Sequence, residues 1–301
     1  LRILNERKTA PFHTNQNKLQ MNEPIHILSL GAGVQSSTLA IMAARGEVPG
    51  YPKLSAAIFA DTQDEPASVY VWLDWLEAEI QRSPFPFPVY RVTIGRLSEK
   101  LTTLRQGKNG NIVSGGNIPC HVRQGNEIGM MPSRACTFDF KIAPILKKAK
   151  LLGGVKRGQK TVGVIQWIGI SLDEVHRMKP SRDPWAKNMW PLVDMAMKRG
   201  DCIEWMARNG YPKPPRSSCI FCPYHSDHEW RRLKTEEPDA FADAVAFEKR
   251  FQETKRQTTS MRGVPYLHKS CKPLEEVDFS SEEDRGQMSL FGNECTGMCG
   301  V

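Results

Sequence analysis

Two rhythms of apolar residues alternate along most of the chain. Unbroken apolar runs predict strands at Ile25–Leu30, Leu54–Ala60, Val89–Ile94 and Thr161–Ile170. Between them apolar residues recur at helical spacing. The pattern over Gln35–Arg45 predicts one helix. A second follows Glu65-Pro66, with Val69, Trp72, Leu73, Leu76 and Ile80 on one face and proline at its start. The proline-rich break at 84–88 precedes the third strand. A helix is predicted over Phe138–Lys150, and helical patterns resume at Met195–Asn209, Ser226–Lys234 and Pro238–Gln257. Residues 105–133 are rich in glycine and predict a long loop of the kind that forms lids and binding loops.

Strand–helix alternation implies an α/β fold, a Rossmann-like parallel sheet with helices on both faces, with a helical, Cys-containing C-terminal part. The linear reading divides the chain into a polar extension (1–24), a nucleotide-binding α/β domain (25–194), a helical Cys-x-x-Cys region (195–269) and an acidic, irregular tail (270–301).

Composition narrows the class. Hydrophobic content of 40% and charged content of 25% are ordinary for a globular chain of 301 residues. No apolar run reaches the roughly 18–20 residues of a membrane span. The start has no apolar signal region, so a cytoplasmic location without membrane partners is expected. The formal charge is +8, with basic residues dense from Arg134 to Lys160 and again from Arg177 to Lys187, as suits nucleotides or nucleic acid. Eight cysteines without a secretory signal argue for ligands, nucleophiles or core residues rather than disulfides. Oligomeric state is not legible, though a homodimer is compatible with the chain.

The most informative stretch is the turn after the first strand, Gly31-Ala32-Gly33-Val34-Gln35-Ser36-Ser37. Strand, small-residue turn and helix start form an anion cradle, because N–H groups of the first helical turn have no internal partners. No Gly-Lys-Ser/Thr closes the turn, so it is not a Walker A loop. Asp61-Thr62-Gln63 ends the second strand and would approach the same crevice, since ligands bind beyond the carboxyl ends of parallel strands. Asp61 could equally cap the next helix. Lys141, near a helix start, could meet phosphate or sulfate. In Ser171-Leu172-Asp173-Glu174-Val175-His176-Arg177, Arg177 could face phosphates with Asp173 or Glu174 orienting it; alternatively Ser171 is a helix cap and Arg177 lies on the solvent side.

Cys219-Ile220-Phe221-Cys222 can chelate one metal or cluster, because the turn brings both sulfurs to one side. His225 and His228 step on from it evenly, which leaves zinc open as an alternative. The tail includes Glu294-Cys295-Thr296-Gly297-Met298-Cys299, where a thiol could attack a sulfur centre and a second could resolve the adduct; alternatively the two are an inert pair or extra metal ligands.

These segments, in this order, resemble the phosphoadenylyl-sulfate (PAPS) reductase-like branch of the PP-loop ATP pyrophosphatase superfamily, of the phage and bacterial type. The loop resembles Ser-Gly-Gly-Val-Asp-Ser-Ser, with Gly31 for Ser, Ala32 for Gly and Gln35 for Asp. Cys136 to Ile145 resembles the family's Cys-x-x-x-x-Lys-[Val/Ile]-x-Pro-[Leu/Ile] segment, and Trp167 to Leu192 its Gly-x-Arg-x-x-Glu-x-x-Arg segment, with Ser171 where the first Arg would stand. The resemblance implies an adenine nucleotide, ATP or a relative, bound by Gly31, Ala32, Gly33, Val34, Gln35, Ser36, Ser37, Asp61 and Thr62, with Mg²⁺ as a candidate companion. It implies Ser36, Lys141 and Arg177 as catalytic groups and Cys295 as a nucleophile. It further implies a [4Fe-4S] cluster on Cys136, Cys219 and Cys222, with Cys120 as fourth ligand or one iron left open. ATP cleavage between the α- and β-phosphates, coupled to sulfur transfer or modification of a nucleic-acid or small-molecule acceptor, is the expected activity. Sulfonucleotide reduction through Cys295 and a catalytically silent nucleotide-binding protein are the alternatives.

Overall fold

The computed structural model describes residues 23–107, 109–133, 135–258 and 263–280, and the architecture below is that of these residues. In chain order they form β1 (Ile25–Leu30), α1 (Val34–Arg45), β2 (Ala56–Ala60), α2 (Ala67–Arg82), β3 (Val89–Val92), α3 (Leu97–Thr102), β4 (Leu104–Gln106), β5 (Ile112–Ser114), β6 (Cys120–Gln124) and β7 (Glu127–Met131). A helical turn and a π-helical segment, Phe138–Ile142, lead into α4 (Ala143–Leu152). Then come β8 (Val164–Ile168), β9 (Ala186–Met189), α5 (Arg199–Arg208), α6 (Asp227–Glu236), α7 (Pro238–Arg256) and β10 (Val264–Tyr266).

The main sheet is parallel throughout, in the order β3-β2-β1-β8-β9. β2 is buried at every position, as a central strand covered on both faces must be. One face packs Leu28, Leu30, Ala57 and Phe59 against α1, α2 and α5. The other packs Ile27, Ala56 and Ile58 against Ile145 and Ala149 of α4. The expected α/β architecture is therefore present. All five positions assigned to the inner face of α2 are buried. α1 ends at Gly46, whose φ of +76° lets its N–H and that of Glu47 close back on Ala43 O and Met42 O.

The strand order reverses between β1 and β8. At such a switch point the loops after the two strands diverge and leave a crevice. The turn at 31–33 and the segment from Gly169 border that crevice here. They pack tightly: a Cβ on Gly169 would stand 2.9 Å from Ser36 Cα.

A second core joins residues 97–140 to 219–279, including Leu101, Phe140, Phe221, Trp230, Phe247 and Phe251. Residues 105–133, expected as an irregular loop, are instead largely paired. β4 and β5 form one hairpin, while β6, β7 and β10 form a three-stranded sheet. Glycines at the hairpin ends, Gly110 and Gly125, take positive φ, which is the turn chemistry behind the loop-like composition. The helix expected from Met195 begins at Arg199, because Ala196 adopts φ +55° and breaks the pattern. β9 gave no apolar run and is an edge strand that the pattern did not reveal. Among the described residues no helix is long and apolar enough to cross a membrane.

Candidate functional site

The strand–turn–helix unit forms as the spacing implied. Ala32 takes a left-handed φ of +58°, Gly33 is extended, and α1 starts at Val34. The first helical bond is Ser37 N–H to Gly33 O at 3.0 Å, so the N–H groups of Val34, Gln35 and Ser36 precede it and face the crevice end. Ala32 is a position where glycine would be unstrained. The hydroxyls turn inward. Ser36 Oγ accepts the Gly31 N–H at 3.2 Å and lies 3.4 Å from Gly33 O, bracing the turn. Ser37 is fully buried, and its Oγ accepts the Trp72 Nε1–H at 3.0 Å. The backbone, more than these hydroxyls, is what the cradle offers a ligand.

Gln35, which replaces the carboxylate of the resembled motif, sits at the centre of a bridge. Its amide donates to Glu174 Oε2 at 3.1 Å and lies 3.4 Å from Ser171 Oγ. Its carbonyl accepts from Arg199 Nη1 at 3.0 Å. Glu174 also holds Arg177 at 2.5 Å, and Asp173 accepts the Arg199 N–H at 3.1 Å. Burial works against the Asp173 charge, but these donors hold its pKa below the usual value. Two guanidiniums thus flank the cradle through one neutral amide. The Arg177 side chain is 9% exposed, and its Nε has no partner among the described residues. Arg199 escaped the sequence reading because its motif signal is nil; only its helix start beside a cluster of charges marked it.

Asp61 and Thr62 follow β2 and part company. Asp61 Oδ1 accepts the Gln63 N–H at 2.7 Å and the Tyr70 hydroxyl at 2.9 Å, the turn-capping arrangement. Burial and that carboxylate raise the Tyr70 pKa. Thr62 is 1% exposed, and its Oγ1 lies 3.2 Å from Cys219 Sγ. The next residues tie the Cys-x-x-Cys loop to the same strand end, since Ile220 N–H donates to Asp64 O at 2.8 Å.

A cavity of about 60 Å³ opens here. Its walls include Thr62, Cys136, Lys141, Ser218, Cys219 and Cys222. Three of the four candidate metal ligands therefore share one chamber. The fourth, Cys120, is not on its wall. It is fully buried close to Lys255 and Cys271, where burial pushes its thiol up to about 11. The Cys-x-x-Cys turn is wound by Cys222 N–H to Cys219 O (2.9 Å) and His225 N–H to Cys222 O (3.0 Å). His225 Nε2 lies 3.0 Å from Cys219 O and its ring packs on Trp230, while His228 is exposed on α6. The two histidines point apart, so the zinc set Cys219, Cys222, His225 and His228 does not converge. Among the described residues no three His, Cys, Asp or Glu side chains surround one point. The three thiols share a wall and would have to turn toward a common centre to hold a cluster.

Lys141 lies on the π-helical segment, a distortion that often marks functional positions. Its ammonium is 3.1 Å from Glu65 Oε1, and Ser217 Oγ donates to Glu65 Oε2 at 3.3 Å. The Glu65 side chain is fully buried. Burial raises the pKa of Cys136 and Cys219; Lys141 opposes the rise at both, and Glu65 adds to it at Cys219. Glu65 was missed by the sequence reading, although a carboxylate just past β2 was a signal available to it. Ser218 Oγ is buried, at 2% residue exposure, without a partner among the described residues, and its residue lines the chamber. An unpartnered hydroxyl there is what a site awaiting an acceptor would show. Arg134, Cys295 and Cys299 lie outside the described residues.

No family model matches the chain, and no curated protein matches it. Among solved structures it overlaps the U34-tRNA thiolase NcsA from Methanococcus maripaludis with its [4Fe-4S] cluster, with 14% identity, covering 84% of this chain and 80% of that one, at a TM-score of 0.35. So loose an overlap establishes neither a shared fold nor a shared chemistry. What the fold and site define is a class: a parallel α/β protein with an anion cradle at its switch point and a thiol-lined chamber beside it.

Proposed function

We propose that this chain is a PP-loop nucleotide enzyme of the sulfonucleotide reductase-like type, which cleaves ATP between the α- and β-phosphates and passes sulfur to a nucleic-acid or small-molecule acceptor. The observation that carries the reading is the junction at the end of β2. Thr62 touches Cys219, so the thiol chamber opens at the end of β2, the strand paired beside the one that carries the cradle. The backbone N–H groups of residues 34–36 would hold phosphate oxygens, with Arg177 and Arg199 neutralising charge that develops on the leaving pyrophosphate. An acceptor oxygen would attack the α-phosphorus, and the bond to the bridging β-oxygen would break with departure of pyrophosphate. A hydrosulfide would then displace AMP, its sulfur bonding the activated acceptor atom as that atom's bond to the AMP oxygen breaks.

Cys136, Cys219 and Cys222 fit a [4Fe-4S] cluster by donor chemistry: thiolates are its usual ligands, and Lys141 opposes the rise that burial imposes on the Cys136 and Cys219 thiols. Held by these three thiols, such a cluster would supply sulfide-binding chemistry. Ser218 and Thr62 would donate to the sulfurs around it.

Incubation of anaerobically purified protein with ATP and acceptor tests the reading. Pyrophosphate release, with iron and visible absorbance that depend on Cys219, supports it. Release of sulfite from adenylyl sulfate would replace it with reductase chemistry. Nucleotide binding with neither product would mean that the bridge at Gln35 serves binding alone.

A further inference from the structure

The end of the sheet away from the thiol chamber carries an excess of positive charge, with Glu23 and Asp183 as its acidic neighbours. Between Asp139 and Asp173 the chain has no Asp or Glu at all. Within that stretch Lys147, Lys150, Lys156, Arg157 and Lys160 are exposed. None of the five enters an ion pair among the described residues.

The fold gathers these residues. α4 starts beside the chamber and runs back along the sheet, so that its end reaches the first residues of β8. There a Cβ on Gly153 would come within 2.6 Å of Val164 Cγ2. The turn carrying Lys156, Arg157 and Lys160 projects from that junction. Gly163 and Val164 N–H both donate to Trp185 O, at 2.9 and 3.2 Å, and the Lys150 ammonium stands 5.9 Å over the Trp185 ring. Exposed Lys187 follows at the start of β9, in register with Ile165.

We propose that this face binds the sugar–phosphate backbone of a double-helical nucleic acid. Unpaired cations at a surface release counterions from a polyphosphate, which is the main source of non-specific affinity. The one aromatic residue in 143–163 and 179–188 is Trp185, and it is buried. Tyr90 beside α4 is half-buried and its ring is covered by the Lys148 ammonium at 3.8 Å, so neither ring is open for stacking an unpaired base, which favours a duplex over a single strand. Two exposed aliphatic side chains, Leu151 and Val162, are too few to insert into a bilayer. Strands of five or six residues put this face about 20 Å from the candidate site. One duplex turn of about 34 Å spans that distance. The inference rests on the proposed function only in naming the bound duplex as the acceptor.

Fluorescence anisotropy with labelled 24-base-pair RNA and DNA duplexes, without ATP, tests the face. For five phosphate contacts the affinity should fall with salt at a log–log slope of about −4.5. The triple variant Lys156→Glu, Arg157→Glu, Lys160→Glu should weaken binding at least tenfold. Lys249→Glu with Arg256→Glu, on the exposed side of α7, should leave it within twofold. A slope near zero, a triple variant that binds as the parent does, or binding confined to vesicles containing phosphatidylserine would overturn the proposal. Pyrophosphate release without duplex binding sinks this inference alone; duplex binding without pyrophosphate release sinks the catalytic reading alone.

Discussion

Thr62 Oγ1 and Cys219 Sγ stand 3.2 Å apart across 157 positions of sequence, and through them the end of the interior strand β2 is fastened to the thiol chamber. Thr62→Val keeps the shape and removes the hydroxyl. It should cost about 1 kcal/mol in urea unfolding, and Thr62→Ser should recover most of it. Equal midpoints for the Val and Thr proteins would make the contact incidental.

Gln35 links Arg199 to Glu174 only because an amide both accepts and donates. Gln35→Asp sets a carboxylate near Glu174 and abolishes the donation. We expect ATP affinity to drop about tenfold, or about 1.4 kcal/mol, by calorimetry. Arg199→Gln should do the same with little effect on folding. Tighter binding by the Asp variant would show that this position prefers a charge.

Gly169 leaves no room for a side chain against Ser36. Gly169→Ala must push the cradle away from the β8 loop, since the contact is with backbone. Loss of nucleotide binding with a retained circular dichroism spectrum is the expected result. Unchanged affinity would place the ligand elsewhere.

Lys141→Met leaves the Glu65 carboxylate buried without its cation. The expected loss is on the order of 3 kcal/mol. Adding Glu65→Gln removes the stranded charge and should restore much of the stability, while pyrophosphate release stays low. If the double variant regains activity, Lys141 acts on folding only.

Glu248 accepts the N–H groups of Leu267 (2.9 Å) and Leu274 (2.7 Å) inside the second core. Burial nonetheless raises its pKa above 4.5. The folded chain therefore holds this proton more firmly than the unfolded chain does. Its contribution to stability is full below pH 4.5 and declines as pH rises through the raised value, by at most about 1.4 kcal/mol per pH unit. Glu248→Gln should gain stability relative to the parent as pH rises from 4 to 7 and show a flatter profile over that range in denaturant titrations. A profile as steep as the parent's would assign the dependence to other groups.

Much of the main layer was legible because its signals are local. The inner face of α2 repeats every three or four residues, and β2 is an unbroken apolar run. β9 was not legible, since Ala-Lys-Asn-Met alternates weakly and its place is set by backbone pairing with β8. The hairpins in 105–133 were missed for a related reason: β6 gains its second partner from β10, far along the chain. In the site, the cradle and the Cys-x-x-Cys turn could be read from contiguous residues. Glu65 was passed over although its place just past β2 was visible, and Arg199 carries no local signal; each matters through a partner remote in sequence.

The order of residues by itself determined the strand–turn–helix unit, its missing carboxylate at Gln35, and the two thiols that one turn brings together. Those depend on backbone geometry over a few positions. Only the tertiary structure decided that Gln35 meets Arg199, that Thr62 belongs with the thiols, and that Cys120 does not share their chamber. The reason is physical. A side chain's neighbours across the chain are fixed by how whole layers pack, and close packing leaves one arrangement of contacts that no short stretch of sequence can specify.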